Sequence, residues 1–236
     1  RDAAAGSERI PGAHPVGVNQ HFAGRAGDRT GNAPLPDPDL LERAVRSWGI
    51  DRDSLVVVYS PENPAFAARA WWVLRWLGVP EVRYLDGGLD TWTAAGGTLT
   101  TELPPVGAGT FDATPGTLAP LDSDGAAEVA RTGILIDSRG GDGFAAGHIP
   151  GAVRLPAAEA FDADGKFLDD DTLRAQFAAA GVQVDDESQR VGAYCPLAIV
   201  AALSVLTAAK VGIQAELYPG GFSSWLADPE RPVATA

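Results

Sequence analysis

Arg190-Val191-Gly192-Ala193-Tyr194-Cys195-Pro196 decides how this chain is read. The run Arg190–Tyr194 is apolar after its first residue and too short for a helix, so it predicts a buried strand. It ends on the chain's only cysteine. The segment from Pro196 to Val211 is apolar almost all round (Leu197, Ile199, Val200, Leu203, Val205, Leu206), which predicts a deeply buried helix. An earlier stretch has the same plan. Leu55-Val56-Val57-Val58-Tyr59 is a β-branched strand bounded by Asp53-Ser54 and Ser60-Pro61. A helix rich in Ala, Trp, Leu and Arg follows from about Pro64 to Leu77 and stops at Gly78. Where the second copy has Cys195, the first has Ser60.

Working outward, each copy carries the same landmarks in the same order. Ile10-Pro11-Gly12-Ala13 matches Ile149-Pro150-Gly151-Ala152, and Tyr84-Leu85-Asp86-Gly87-Gly88 with Trp92 matches Leu217-Tyr218-Pro219-Gly220-Gly221 with Trp225. Self-similarity over about a hundred residues marks a duplicated domain, since solenoid repeats run roughly 20–50 residues. Further strands are expected at Val82–Leu85, Ile134–Ile136 and Ala215–Leu217, and further helices at Thr91–Ala95 and Asp169–Ala180. Residues from Thr98 to about Pro120 are rich in Pro, Gly and Thr and read as a linker. The fold class is therefore α/β: two domains, each a parallel sheet with helices on both faces. Their bounds are 1–100, with linker 101–120, and 121–236. The second copy approaches its Ile-Pro-Gly-Ala through Ile134-Leu135-Ile136-Asp137-Ser138-Arg139, whereas the first begins at Arg1-Asp2, so its opening strand is expected to be missing.

At 236 residues each half is long enough to bury a core. A formal charge of −13 argues against nucleic acid and anionic membranes as partners. No apolar run is long enough to span a bilayer. A single cysteine allows no internal disulfide, which fits a reducing, cytoplasmic setting and a monomer or weak dimer. With no Met and an arginine at position 1, the sequence reads as a processed product or a fragment.

The placement of Cys195 carries the chemistry. Pro196 suits the first position of a helix, which predicts Cys195 as its N-cap with the sulfur among free N–H groups at the positive end of the dipole. Such surroundings favour the thiolate, the nucleophilic form. In doubly wound sheets the crevice beyond the carboxyl ends of the strands is also where ligands bind.

Taken together, Asp137-Ser138-Arg139, Gly147-His148-Ile149-Pro150-Gly151-Ala152, Tyr194-Cys195 and Tyr218-Pro219-Gly220-Gly221-Phe222-Ser223-Ser224-Trp225 resemble the tandem-domain sulfurtransferases, the rhodanese (thiosulfate) and 3-mercaptopyruvate enzymes. Ala68-Arg69-Ala70-Trp71-Trp72 and Leu85-Asp86-Gly87-Gly88 resemble the inactive first domain of the same family. The resemblance implies that Cys195 accepts a sulfane sulfur from a small anionic donor as a persulfide. It then passes that sulfur to cyanide or a thiol, with no cofactor and no metal. It also implies a substrate-binding loop made of Pro196, Leu197, Ala198, Ile199 and Val200.

That loop departs from the family's Cys-Gly-Ser-Gly-Val-Thr or Cys-Arg-Lys-Gly-Val-Thr. Pro196 lacks an N–H, and Ala198 replaces a glycine, so a positive φ there would cost energy. Leu197 and Val200 stand where polar or cationic side chains would assist. The Arg-rich insertion of the mercaptopyruvate branch is also lacking, because only Gly140–Ala146 separate Arg139 from Gly147. Two readings stay open: a catalytic Cys195, or a weak or inactive module that binds a partner or carries sulfur.

Arg139 and Arg154 are the best local cations for an anion near Cys195, although Asp137 and Arg139 are read first as an ion pair that holds a turn. His148 is expected to be structural, hydrogen-bonding within its turn. The Asp169-Asp170-Asp171 run predicts a helix cap and lacks calcium-loop spacing. His14 and His21 have no metal-site spacing. In the first copy Arg9 occupies the place of the family's histidine. Trp48, Trp71, Trp72 and Trp76 read as packing.

Overall fold

A computed structural model describes residues 7–27 and 30–235. Arg1–Gly6, where the first copy opens, lie outside them. The chain divides into two compact units: Arg1–Gly24 with Leu35–Leu118, and Arg25–Pro34 with Ala119–Ala236.

The first unit contains α1 (Pro38–Ser47), β1 (Leu55–Val58), α2 (Pro64–Leu77), β2 (Glu81–Tyr84) and α3 (Gly88–Ala94). Strands β1 and β2 pair in parallel, Leu55 opposite Glu81 and Val58 opposite Tyr84. Helix α2 starts where Asn63 accepts the Ala65 N–H and stops where Gly78 turns left-handed at φ 105°. Its Trp71 and Trp72 are buried, and the Trp71 indole N–H donates to the Val82 carbonyl. Helix α1, which the sequence reading did not predict, opens at Asp37, whose carboxylate accepts the Asp39 and Leu40 N–H groups, with Pro38 behind it. Residues Thr98–Pro120 form no helix or strand. Their backbone nonetheless bonds to this unit, the Gly109 N–H to the Arg46 carbonyl and the Thr114 N–H to the Leu77 carbonyl.

The second unit contains α4 (Ser123–Thr132), β3 (Ile134–Asp137), α5 (Gly141–Ala146), β4 (Val153–Arg154), α6 (Asp170–Ala179), β5 (Val191–Tyr194), α7 (Ile199–Lys210), β6 (Ala215–Leu217) and α8 (Gly221–Leu226). The sheet runs β4-β3-β5-β6, parallel throughout. Helix α7 packs on β5 and β6, and α4 on β3 and β5. Ala201 through Ala208 of α7 are all buried, as the unbroken apolar sequence requires. Burial of Leu203, Val205 and Leu206 contributes about 1.5–3 kcal/mol each. Within β5, Gly192 is dictated by close approach, since a Cβ there would lie 2.9 Å from a Leu121 methyl and 3.1 Å from a Leu135 methyl.

Candidate active site

Cys195 follows β5 directly, at the carboxyl end of a strand flanked on both sides by β3 and β6. Its sulfur accepts the Ala201 N–H at 3.3 Å. The nearby N–H groups of Leu197, Ala198 and Val200 also favour negative charge on it. Four backbone amides of the loop thus act on one sulfur, with Ala201 making the hydrogen bond.

This geometry corrects the expected helix start. Cys195 is not the N-cap and Pro196 is not the first helical residue. Helix α7 begins at Ile199, and Ala198 occupies the cap position at φ 55°, ψ 17°. A helix started at Pro196 would send its N–H groups along the axis, whereas a curled loop turns them inward. The curl needs a left-handed residue. Among the described residues Ala198 is the only non-glycine with positive φ, a conformation costing an L-residue roughly 1–2 kcal/mol.

Burial works against the expected thiolate. Cys195 is 1% exposed, and burial pushes its thiol above the ordinary value, although the amides of Ala201, Leu197, Val200 and Ala198 pull it down. Desolvation of the charged form outweighs the hydrogen bonds that favour it. The sulfur thus lies buried in a cradle of backbone donors, where burial and the amides act on its charge in opposite directions.

The closing motif holds the cradle from behind. The Phe222 N–H donates to the Cys195 carbonyl at 2.9 Å, and the Ser223 N–H to the Pro196 carbonyl at 3.3 Å. Gly221 sits at φ 59°, and a Cβ on it would fall 2.4 Å from the Cys195 oxygen. Sequence reading quoted Pro219-Gly220-Gly221-Phe222 as a landmark without giving it this task. Two glycines before a short helix were the available signal.

Around the sulfur, Pro196 and Val200 are exposed, Leu197 and Ile199 half-buried, and Ala198 buried. Arg139 is engaged elsewhere. Its guanidinium meets both Asp137 oxygens, at 2.6 to 3.1 Å, donates to the Gly147 carbonyl at 2.6 Å, and lies 4.5 Å from the Phe222 ring centre. Asp137 is fully buried. Burial opposes the Arg139 charge, but Asp137 more than compensates and raises its pKa. The Tyr194 hydroxyl accepts the Ile149 N–H, tying the end of β5 to the Ile-Pro-Gly-Ala turn. Burial first, and then the Asp137 carboxylate, push that phenol far up. Arg154 lies on β4 and approaches Glu159 at 3.6 Å. His148 stacks on Phe144 at 3.8 Å, and its Nδ1 pairs with the Phe144 carbonyl. Asp169 caps α6 by accepting the Thr172 N–H and hydroxyl, which lower its pKa. A cavity of about 470 Å³ lies in the first unit, lined by β1 and by Phe66, Ala70 and Leu74, and it contains no thiol. Among the described residues no helix is long and apolar enough to cross a membrane, and no group of three His, Cys, Asp or Glu side chains is set to hold a metal.

The model of the rhodanese-like domain matches the chain twice, over residues 1–95 and 120–228. The chain belongs to the rhodanese-like family. Each unit is accordingly a rhodanese-like α/β domain, and Cys195 lies in the second. A relative from Mycobacterium tuberculosis, named a putative thiosulfate sulfurtransferase, SseB, is 38% identical over 95% of this chain and 82% of its own. A probable 3-mercaptopyruvate sulfurtransferase from Pseudomonas aeruginosa is 37% identical over 96% and 84%. Among solved structures, the 3-mercaptopyruvate sulfurtransferase SseA of Escherichia coli superposes with a TM-score of 0.71 at 30% identity, over 79% of this rhodanese-like chain and 74% of its own.

Proposed function

We propose that this rhodanese-like protein is a sulfurtransferase that carries sulfane sulfur as a persulfide on Cys195. The observation that carries the reading is the Ala201 N–H bonded at 3.3 Å to the Cys195 sulfur at the end of a central strand, with the Leu197, Ala198 and Val200 amides also favouring negative charge there. Fixed amide dipoles stabilise negative charge without reorganising, which is what a thiolate or persulfide anion in a desolvated site requires. The thiol first gives its proton to solvent. Cys195 thiolate then attacks the outer sulfur of the donor, a new S–S bond forms, and the bond joining that sulfur to the donor breaks, its electron pair leaving with the donor group. A thiol or cyanide next attacks the outer sulfur of the persulfide, and Cys195 departs as thiolate. No step calls for a cofactor.

Intact-mass spectrometry after incubation with thiosulfate or 3-mercaptopyruvate tests the reading. The expected result is a gain of one sulfur atom, reversed by cyanide and absent in Cys195→Ser. Burial of the resting thiol favours a second reading, a binding or sulfur-carrier module. A ligand bound equally by the wild type and Cys195→Ser, with no sulfur adduct from any donor, would establish the binding module; an adduct that no acceptor removes would establish the carrier.

A further inference from the structure

We infer that the donor recognised at Cys195 is an organic sulfane-sulfur compound with an apolar body and at most one negative charge, not the thiosulfate dianion; this rests on the persulfide reading above. The Ala201 N–H is bonded to the Cys195 sulfur itself, and the other loop amides act on the same atom, so they stabilise the nucleophile and leave the donor's far end to side chains. Those side chains are hydrocarbon. Pro196 and Val200 are exposed and Leu197 is half-buried, while no charged residue stands between Cys195 and Val200. A dianion losing its hydration against such a rim gains no counter-charge from the loop, and burying an unpaired charge is strongly unfavourable.

The second unit's nearest sequence candidates for that counter-charge have other partners. Arg139 spends its guanidinium on Asp137 and the Gly147 carbonyl, and Arg154 faces Glu159. The net charge of −13 adds a field that disfavours dianions most. An aryl group on the donor reverses each of these terms. It halves the charge and buries apolar area against Leu197 and Val200. Transfer stays balanced: the Cys195 thiolate attacks the outer sulfur of an arylthiosulfonate, the S–S bond breaks, and an arylsulfinate leaves with the electron pair. Leu197 and Val200 are thus the specificity-determining side chains.

The test measures kcat/KM for thiosulfate, methanethiosulfonate and benzenethiosulfonate with cyanide as acceptor. Each value is divided by the same donor's uncatalysed rate with cyanide. The expected order is benzenethiosulfonate, then methanethiosulfonate, then thiosulfate, with at least tenfold between first and last. Val200→Lys and Leu197→Lys, both at solvent-accessible positions, should each lower that ratio at least fivefold by raising thiosulfate use. Equal normalised values for the three donors, or a ratio that neither lysine moves, would overturn the inference while leaving the persulfide intact. Failure of all three donors to add sulfur to Cys195 would sink the underlying reading, and the inference with it.

Discussion

Gly221 presses its α-carbon so near the Cys195 carbonyl that an added Cβ would fall 2.4 Å from the oxygen and 2.8 Å from that of Pro196. The contact is backbone on backbone, so no side chain can swing away to relieve it. Gly221 also has φ 59°, which an L-residue adopts at a cost. Gly221→Ala therefore combines a left-handed penalty with an overpacking penalty, together roughly 2–5 kcal/mol. Urea unfolding should show a midpoint lowered accordingly. Under native conditions the variant should load sulfur more slowly, because the Phe222 and Ser223 N–H groups no longer hold the loop carbonyls in place. An unchanged midpoint would mean that the loop yields freely there.

Ala198→Gly acts in the opposite direction. It removes a left-handed strain of roughly 1–2 kcal/mol and adds a backbone-entropy cost of roughly 0.5–1 kcal/mol. The net expectation is a gain of about 0.5–1 kcal/mol in unfolding free energy. Ala209→Gly, on the exposed last turn of α7, is the control and should lose up to about 1 kcal/mol. Loss of stability at both positions to the same extent would show that Ala198 is not strained. Adding Pro196→Gly to Ala198→Gly restores one N–H and flexibility to the cradle, and the sulfur-transfer rate of the double variant should rise.

Reactivity of Cys195 should climb steeply with pH. Its thiol titrates above the ordinary value because burial penalises the thiolate more than the amides reward it. At neutral pH the nucleophilic fraction is small, and it grows until pH passes the raised value. Alkylation by iodoacetamide, followed as rate against pH, should still be rising where an unhindered model thiol has reached its plateau. The linked stability runs the opposite way. The folded state holds its proton more tightly than the unfolded one, so this contribution is full below the unfolded thiol pKa and is lost as pH rises through the folded value. A rate that levels off below the model thiol would mean that the amide dipoles prevail.

Most of the fold was legible because it rests on local signals that tertiary packing then reinforces. Val191–Tyr194 is buried throughout, as its apolar run requires, and Asn63 with Gly78 brackets α2. Leu55–Val58 forms the expected strand but is not buried: Leu55 and Val57 stay exposed, because among the described residues β1 pairs with β2 alone. Helices α1 and α4 went unread because their apolar stripes are narrow, with Leu41 and Val45 buried in one and Ala126 and Val129 in the other. At the site, the position of Cys195 followed from strand, cysteine and helix in sequence. The curl did not. Pro196 is a proper helix starter by local rules, yet α7 begins only at Ile199, after Ala198 in the left-handed region. The burial of the thiol was not legible for a related reason: amide donors can be inferred from a helix start, but desolvation depends on what the rest of the chain places over the sulfur.

Asp137 and Arg139 form the most consequential pair outside the loop. Asp137 is wholly buried at the end of β3, opposite Tyr194, and Arg139 is 13% exposed in its side chain. Replacing Asp137 with Asn keeps an acceptor for the Arg139 backbone N–H, which bonds Oδ1 at 3.0 Å, but leaves the guanidinium without its counter-charge. Removing one partner of a buried pair typically costs about 3–5 kcal/mol, since the other charge stays desolvated. The expected loss for Asp137→Asn lies at the lower end, because the Gly147 carbonyl and the Phe222 ring remain beside Arg139. Adding Arg139→Met removes the stranded cation and should recover at least half of that loss in chemical denaturation. If the double variant is as unstable as the sum of both singles, the pair acts through its hydrogen bonds to Gly147 and not through charge.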